Sequence, residues 1–176
     1  MQPIFLDGLI LRAFEDSDAE EYAQAARESA DTVGRWMTWC TPSFSEQNAL
    51  DWFKQCRDSL SVELGYEYGI FAADSGRFLG GAGLNSIDHQ HLFCNLGYWV
   101  RSSEQRRRIA SRAVQALVPY AFNTLGLHRI EIVVATGNEA SEAVARGYGA
   151  HFECVARNRL QIHGAPVSAK IFSIVP

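Results

Sequence analysis

The spacing of apolar residues along the chain changes several times between a period of two and a period of about 3.6, which predicts both strands and helices. Seven runs have the period of two or are rich in β-branched and aromatic residues, as strands are. They lie at 9–14, 66–73, 78–87, 92–100, 128–135, 151–161 and 167–174. Gly97 interrupts the fourth run, and we expect a bulge or a close backbone approach there.

Four helices are predicted in the segments between these runs. They are expected over 16–30, 45–60, 110–122 and 138–149. Ser45 can cap the second helix through its hydroxyl group. The third helix has apolar residues three and four apart, although Pro119 removes a backbone donor and is expected to kink it.

The order of these elements predicts an α/β fold of mixed α+β type. The runs 66–73 and 78–87 are separated by a Ser75-Gly76 step, which is typical of a hairpin, so these strands should be antiparallel. A helix separates 92–100 from 128–135, so those two strands should be parallel. One mixed, mostly antiparallel sheet with helices on both faces follows.

Composition and charge predict one soluble domain over 1–176. The hydrophobic content of 47% is enough for a substantial core, and the net charge of -4 gives no reason to expect a nucleic acid or an anionic membrane as partner. The N-terminus has no basic start of a signal peptide, and no apolar run approaches the roughly 18 residues that span a bilayer. We therefore expect a cytoplasmic protein.

The cysteines and histidines do not indicate a metal site. Four cysteines lie far apart, without a Cys-x-x-Cys pair, and we expect them to be small core residues. They are Cys40, Cys56, Cys94 and Cys154. His89 and His91 lie in a predicted turn without an evident third ligand, so no metal is predicted.

An arginine-rich segment precedes the third predicted helix. Five arginines lie close together in an otherwise acidic chain: Arg101, Arg106, Arg107, Arg108 and Arg112. A loop that enters a helix presents free N–H groups and the positive end of the helix dipole, and guanidinium groups add charge-assisted hydrogen bonds. The segment is therefore either a phosphate-binding loop or a solvated basic surface.

Four motifs occur in a fixed order over most of the chain. They are Asn95-Leu-Gly-Tyr-Trp-Val100, Gln105-Arg-Arg-Arg-Ile-Ala110, Ala121-Phe-Asn-Thr-Leu-Gly-Leu-His-Arg-Ile-Glu131 and Asn138-Glu-Ala-Ser141. Together they resemble the GCN5-related N-acetyltransferase (GNAT) superfamily, and within it the ribosomal-protein N-terminal acetyltransferase-like branch of RimJ/RimL type. The resemblance implies the GNAT fold, with about six or seven strands, about four helices and a splay between the fourth and fifth predicted strands.

The same resemblance implies transfer of an acetyl group from acetyl-CoA to a primary amine, with a protein N-terminal α-amine favoured by the branch. In the family a Gln/Arg-x-x-Gly-x-Gly/Ala loop binds the CoA pyrophosphate on backbone N–H groups. The corresponding residues are Gln105, Arg106, Arg107, Arg108, Ile109, Ala110 and Ser111. Arg108 occupies a glycine position, so it must adopt a compatible backbone or weaken the site.

The resemblance also implies residues that hold the pantetheine arm and take part in the reaction. The backbone of Tyr98, Trp99 and Val100 is expected to pair with the arm, and an N–H near Trp99 or Val100 to bind the developing oxyanion. The side chain of Asn138 is expected to hold pantetheine or to cap the helix. Relatives often carry a proton-donating tyrosine where this chain has Ala145, so Ser141 is the expected catalytic donor.

The general base stays open at this point. Relatives of this branch often carry Glu where this chain has Asn95, and an amide does not accept a proton usefully at neutral pH. The alternatives by strand position are Glu67, Asp88, His89, His91 and Glu131. An α-amine, with a reference pKa of about 7.7–8.0, needs less help than a lysine with a pKa of about 10.4.

The acceptor and the assembly also stay open. Trp36, Trp39 and Trp52 could line an acceptor pocket or belong to the core or to a homodimer interface. A polyamine, amino acid or antibiotic is an alternative acceptor, because fold similarity does not choose the substrate. A non-catalytic CoA-fold binding module is the other alternative, since Asn95, Arg108 and Ala145 depart from the family pattern.

Overall fold

The computed structural model describes all 176 residues, which form eight strands and four α-helices. The strands are β1 (Ile4–Leu6), β2 (Leu9–Arg12), β3 (Gly65–Ala72), β4 (Phe78–Asp88), β5 (Phe93–Val100), β6 (Arg129–Ala135), β7 (His151–Ile162) and β8 (Ala165–Ile174). The helices are α1 (Ala19–Glu28), α2 (Glu46–Ser61), α3 (Ile109–Asn123) and α4 (Glu139–Tyr148). None of these helices has the length and apolar composition that crossing a membrane requires.

All the strands form one sheet in the order β1-β2-β3-β4-β5-β6-β8-β7. Neighbouring strands are antiparallel except for β5 and β6, which are parallel. This pair is joined only between 93–95 and 129–131, and the two strands then separate. The mixed, mostly antiparallel sheet and the position of the splay are therefore confirmed.

One strand more than predicted is present, because β1 pairs with β2 in a tight hairpin. Its turn consists of Asp7 and Gly8, with φ angles of 45° and 78°. Two consecutive residues with positive φ match the right-handed twist of the flanking strands, and an Asp-Gly pair is the usual sequence for such a turn.

The bulge expected at Gly97 is wrong. Gly97 pairs in register with Gly83, and the irregularity lies in β4 between Asn85 and Asp88. Ser86 absorbs the extra residue with a left-handed backbone, at a φ angle of 51°. A Cβ atom at Gly97 would lie 3.8 Å from Asn85 Nδ2 and 3.9 Å from Asn95 Nδ2, at ordinary van der Waals distance, so no backbone of this chain approaches closely there.

The helices cover both faces of the sheet, as predicted. Helix α3 continues through Pro119 and packs one face into the larger core through Val114 and Leu117. Helices α1 and α2 cover the other face, where Tyr22 and Phe53 belong to an aromatic core. Ser45 caps α2 as expected: its Oγ accepts the Asn48 N–H at 3.2 Å, and Asn48 Oδ1 accepts the Ser45 N–H at 2.9 Å.

Three of the four cysteines are buried as predicted, namely Cys40, Cys56 and Cys94. The prediction is wrong for Cys154, which is exposed on β7. Strand β7 forms the edge of the sheet, and most of its residues are exposed on both faces. An apolar pattern in an edge strand therefore did not indicate burial here.

Candidate active site

A groove opens where β5 and β6 diverge, and we call it the splay groove. Its volume is about 440 Å³, and it extends to the first turn of α4. Its walls include Leu96, Gly97 and Tyr98 from β5, residues 132–135 from β6, and Trp36, Asn138 and Ser141. Beyond Asn95, neither strand uses the edge that faces the groove for pairing.

Strand β5 presents backbone groups to this groove. The N–H of Arg101 donates to the Leu79 carbonyl at 3.0 Å, on the β4 side. Because N–H directions alternate along a strand, Trp99 also points its N–H toward β4, whereas Tyr98 and Val100 point theirs toward the splay groove. Of the two N–H positions considered for an oxyanion, the direction therefore suits Val100 and not Trp99.

The segment 105–111 leads from the end of β5 into α3. Arg106 and Arg108 both have left-handed backbones, with φ angles of 63° and 58°. The first hydrogen bond of α3 runs from the Arg112 N–H to the Arg108 carbonyl at 3.0 Å. The N–H groups that precede it, and so lack an intrahelical acceptor, belong to Ile109, Ala110 and Ser111. Arg108 thus adopts the backbone that a glycine would favour at this position.

The left-handed backbone of Arg108 should affect the stability of variants at this position. A left-handed conformation costs a residue with a Cβ atom about 1 kcal/mol, and the Arg108 side chain is exposed, so its removal sacrifices little packing. We expect Arg108→Gly to be about 1 kcal/mol more stable than Arg108→Ala, which keeps the Cβ atom, with a Tm about 2–4 °C higher. Thermal unfolding of the two variants measures this, and equal Tm values would contradict the strain.

The five arginines of the segment have different surroundings. Three of them have partners: Arg101 with Glu28, Arg107 with Glu104, and Arg112 with the Asp7 carbonyl. Arg106 and Arg108 are exposed and form no hydrogen bond or ion pair through their side chains. Gln105 is tied back to β5, because its Nε2 donates to the Val100 carbonyl at 3.2 Å. Two guanidinium groups therefore stay available beside the free N–H groups.

Arg101 anchors the start of the segment to α1. Its guanidinium is buried and donates to Glu28 Oε2 at 2.7 Å and to the Phe78 carbonyl at 3.1 Å. Glu28 Oε1 also accepts the Ser103 N–H at 2.7 Å. Burial alone would raise the pKa of Glu28, but the hydrogen bonds from Arg101 and Ser103 outweigh it and lower this pKa to about 2. The anchoring carboxylate thus stays charged at neutral pH.

The side chain of Tyr98 reaches from β5 to α4. Its hydroxyl donates to the Ser141 carbonyl at 3.0 Å and lies 3.1 Å from Ser141 Oγ. Burial raises the pKa of Tyr98 to about 12, although the hydrogen bond with Ser141 opposes the rise. The phenol therefore keeps its proton at neutral pH. Only the backbone of Tyr98 was singled out from the sequence, so this side chain was missed.

The other two residues predicted at α4 are Asn138, which precedes the helix, and Ala145, which lies within it. Asn138 caps the helix, because its Oδ1 accepts the Ser141 N–H at 3.2 Å. Its Nδ2 is left without a protein partner, and the residue lines the splay groove. Ala145 is fully buried in the core and does not face either cavity. Among the residues considered on α4, Ser141 and Asn138 are those that face the groove.

A second cavity lies between the sheet and helices α1 and α2, and we call it the aromatic cavity. Its volume is about 720 Å³. Rings line much of it: Phe14, Tyr22, Trp39, Phe44, Trp52 and Trp99. Both cavities share Met37, Asn85, Gly97 and Tyr98, so they meet beside the start of the splay. Each of the three tryptophans considered from sequence thus lines a cavity, with Trp36 in the splay groove.

Glu67 places a carboxylate in the aromatic cavity. Asn85 Nδ2 donates to Glu67 Oε1 at 2.9 Å, and Asn95 Nδ2 donates to Asn85 Oδ1 at 2.9 Å. Burial raises the pKa of Glu67, and the hydrogen bond from Asn85 offsets part of the rise. Gly83 leaves room for the carboxylate, because any side chain there would collide with it. The result is an oriented and poorly solvated carboxylate.

The other base candidates lie in less suitable places. Asp88, His89 and His91 line neither cavity. Asp88 instead closes its own turn, because its Oδ1 accepts the His91 N–H at 2.7 Å. Glu131 lines the splay groove but pairs with Arg129 at 2.9 Å. Of the five groups, Glu67 is the one in the aromatic cavity.

The chain is similar to known proteins over most of its length. Residues 8–151 match the family described as acetyltransferase (GNAT) domain. YdaF of Bacillus subtilis strain 168, provisionally named a ribosomal N-acetyltransferase, is 30% identical over 161 residues, which cover 89% of this chain and 85% of that protein.

Solved structures have the same fold. A protein from Vibrio cholerae, provisionally named a ribosomal-protein-serine acetyltransferase, is 31% identical with a TM-score of 0.88, over 99% of this chain and 98% of that one. RimL, a ribosomal L7/L12 α-N-protein acetyltransferase solved with coenzyme A, is 22% identical with a TM-score of 0.87, over 99% and 98% of the two chains. The chain is an acyltransferase that belongs to the acetyltransferase (GNAT) domain family, in its RimJ/RimL-type branch.

Proposed function

We propose that this acyltransferase moves an acetyl group from acetyl-CoA to the α-amine at the N-terminus of a protein or peptide. The observation that carries the proposal is the meeting of two cavities at Asn85, Gly97 and Tyr98. One cavity offers a free strand edge, and the other offers the desolvated Glu67 carboxylate. The names of YdaF and of the Vibrio cholerae protein refer to ribosomal acceptors, and RimL is named for an α-N-protein acceptor.

The splay groove fits acetyl-CoA, whose thioester supplies a reactive acyl group when bound. The free N–H groups at the start of α3 suit the pyrophosphate, because they combine with the helix dipole. The unpaired guanidinium groups of Arg106 and Arg108 add positive charge beside them. The backbone N–H and carbonyl of Tyr98 suit the amides of pantetheine, which leaves the Val100 N–H for the acyl oxygen, and Asn138 Nδ2 is a further donor.

The exposed side chains of Arg106 and Arg108 should contribute to the affinity for acetyl-CoA. We expect the double variant Arg106→Ala/Arg108→Ala to bind acetyl-CoA about tenfold more weakly, since each exposed phosphate contact contributes modestly. Arg107→Ala is the matched control with a smaller expected effect, because that side chain already pairs with Glu104. Calorimetric titration at a fixed salt concentration measures the Kd values. Equal losses from the double variant and the control would contradict the assignment of these side chains.

Glu67 is the group that we assign as proton acceptor. The amine nitrogen attacks the acyl carbon as a neutral group, so its extra proton must leave, and Glu67 receives it directly or through one water. The chain from Asn95 through Asn85 holds the carboxylate in place. Asn95 thus has an orienting role where relatives often carry Glu.

Two further groups act on the other side of the reaction centre. The Val100 N–H binds the negative charge that develops on the acyl oxygen. As the carbon–sulfur bond breaks, Ser141 Oγ or the Tyr98 hydroxyl donates a proton to the sulfur, and the pair regains a proton from solvent. The Tyr98 hydroxyl lies 3.1 Å from Ser141 Oγ, so the two groups can act together as the proton source.

This chain departs from the family pattern at Asn95, Arg108 and Ala145. The surroundings of these residues favour an enzyme over a non-catalytic binding module. Arg108 adopts the backbone of a glycine, and Asn95 orients Glu67 through Asn85. Tyr98 supplies a phenol beside Ser141 where Ala145 replaces a helix tyrosine. Other groups therefore fill the roles of the family residues that this chain lacks.

Mass spectrometry of short peptides incubated with the protein and acetyl-CoA tests the proposal. Peptides that begin with Ser or Ala should gain one acetyl group on the α-amine, while an internal lysine stays largely unmodified because its amine is mostly charged. The same peptides with a blocked N-terminus are the matched control. Acetylation of lysine alone, or of small amines alone, would overturn the α-amine assignment.

A further inference from the structure

We infer that the aromatic cavity selects acceptors that carry a second positive charge close to the reactive amine, such as an N-terminus followed by Lys or Arg. The inference rests on the proposed function, because it takes this cavity as the acceptor site. It names a recognition role for Asp51 on α2, which is separate from the proposed chemistry at Glu67.

The charged residues that line the aromatic cavity are all acidic. Its walls contain two carboxylates, those of Asp51 and Glu67, and no Lys, Arg or His. Asp51 lies on α2 and is exposed to solvent. Its Oδ1 accepts a hydrogen bond from Gln47 Nε2 at 2.9 Å, which is a neutral donor, so the negative charge has no counterion in the protein. An arriving cation would therefore be attracted and an arriving acid repelled.

The basic residues of helix α2 lie outside the lining of the aromatic cavity. Asn48, Asp51, Trp52 and Gln55 are three and four residues apart, so one face of the helix lines the cavity. The basic residues of α2 are paired elsewhere: Lys54 with Asp58 at 2.8 Å and Arg57 with Asp16 at 2.9 Å. The face toward the cavity thus presents an acid between two amides, and the neighbouring base, Lys54, is paired with Asp58.

Aromatic rings beside Asp51 favour the same class of ligand. Trp52 is its neighbour in the chain, and Trp39 lines the cavity with 36% of its surface exposed. Indole faces attract ammonium and guanidinium groups, and the methylene stem of a lysine or arginine packs well on such rings. A cavity that combines an acid without a counterion and tryptophan rings therefore suits a long cationic side chain better than an acidic or a small one.

A basic residue at the second or third position of a peptide fits this arrangement. The reactive α-amine would approach Glu67, and an extended peptide advances about 3.3 Å per residue, so its next side chains lie within a cavity of this size. A polyamine shares the chemistry, because it also carries a second cation near its reactive amine. The experiment therefore includes both sources.

The test compares kcat/KM for three peptides that differ only at the second residue, Ser-Lys, Ser-Ala and Ser-Glu, together with spermidine. We expect Ser-Lys to exceed Ser-Ala about fivefold to tenfold, and Ser-Glu to be the poorest. Asp51→Asn should bring the three peptides to within about twofold of one another. Glu46→Gln, at an exposed acid on another face of α2 and outside the cavity lining, is the matched control and should keep the wild-type order.

The outcomes distinguish the N-terminal acceptor from the preference for a second positive charge. Equal rates for the three peptides in the wild-type protein, or an order that survives Asp51→Asn, would overturn the inference. Turnover of spermidine but of no peptide, with a loss in Asp51→Asn, would support the second-charge requirement while the N-terminal acceptor fails. Turnover of the peptides without any charge preference would leave the proposed function intact and remove the inference alone.

Discussion

Glu67→Gln is expected to lower kcat/KM for acetyl transfer about 10²- to 10³-fold while acetyl-CoA binds unchanged. The loss follows because an amide does not accept the proton of the attacking amine, and general base catalysis is worth factors of this order. The substitution keeps the shape of the side chain and its acceptor for Asn85 Nδ2. Glu131→Gln, in the splay groove, is the matched control, with a much smaller expected change.

The pH dependence provides a second readout of the same residue. Burial raises the pKa of Glu67, so at low pH the carboxyl is protonated and inactive as a base. The wild-type kcat/KM should therefore fall more steeply as the pH decreases through this raised pKa, whereas above it only the titration of the amine should remain. Glu67→Gln should lack that limb and keep only the titration of the amine itself. The same limb and the same rate in both proteins would exclude Glu67 as the base.

Removal of the hydroxyl groups on the donor side is expected to have the next largest effect. Tyr98→Phe and Ser141→Ala should each lower kcat about 10- to 50-fold, because the departing sulfur loses its proton source. The double variant should stay in the same range, since the two hydroxyls lie 3.1 Å apart and act as one unit. The measurement is a double-mutant cycle in kcat, with thermal unfolding to verify that all four proteins are folded.

Independent behaviour of the two hydroxyls would contradict this pairing. Effects that multiply in the double variant would mean that the groups act at separate steps. A normal kcat in both single variants would mean that solvent protonates the sulfur.

The pattern of the chain predicts most of the sheet, and its failures have identifiable causes. The parallel pair β5 and β6 follows from the helix between them, and its splay follows from the family resemblance. Strand β1 was missed although Asp7-Gly8 is a hairpin signal, because only three residues precede the turn in the strand. The burial of Cys154 was misjudged because the local sequence pattern does not reveal that β7 lies at an edge of the sheet.

The candidate site shows a similar division. The arginine segment was predicted from the residue pattern and Ser141 from the family resemblance, because both lie on continuous stretches of sequence. The contact between Tyr98 and Ser141 joins β5 to α4 across 43 positions of the chain, and local periodicity carries no information about it. Glu67 was one of several alternatives, and its position in the aromatic cavity and its hydrogen bond from Asn85 distinguish it. The left-handed backbone of Arg108 was one of two alternatives. An Arg where glycine is usual does not reveal which backbone the residue adopts.

The central claim is that the groove between β5 and β6 binds acetyl-CoA despite Arg108 at the glycine position. Calorimetric titration of the wild-type protein with acetyl-CoA measures this most directly. The account predicts one molecule bound per chain with a Kd on the order of 1–10 μM, and weaker binding as salt is added because phosphate contacts are screened. Absence of binding by the folded protein at millimolar acetyl-CoA would contradict the account, because the reaction at Glu67, Tyr98 and Ser141 would then have no acyl donor.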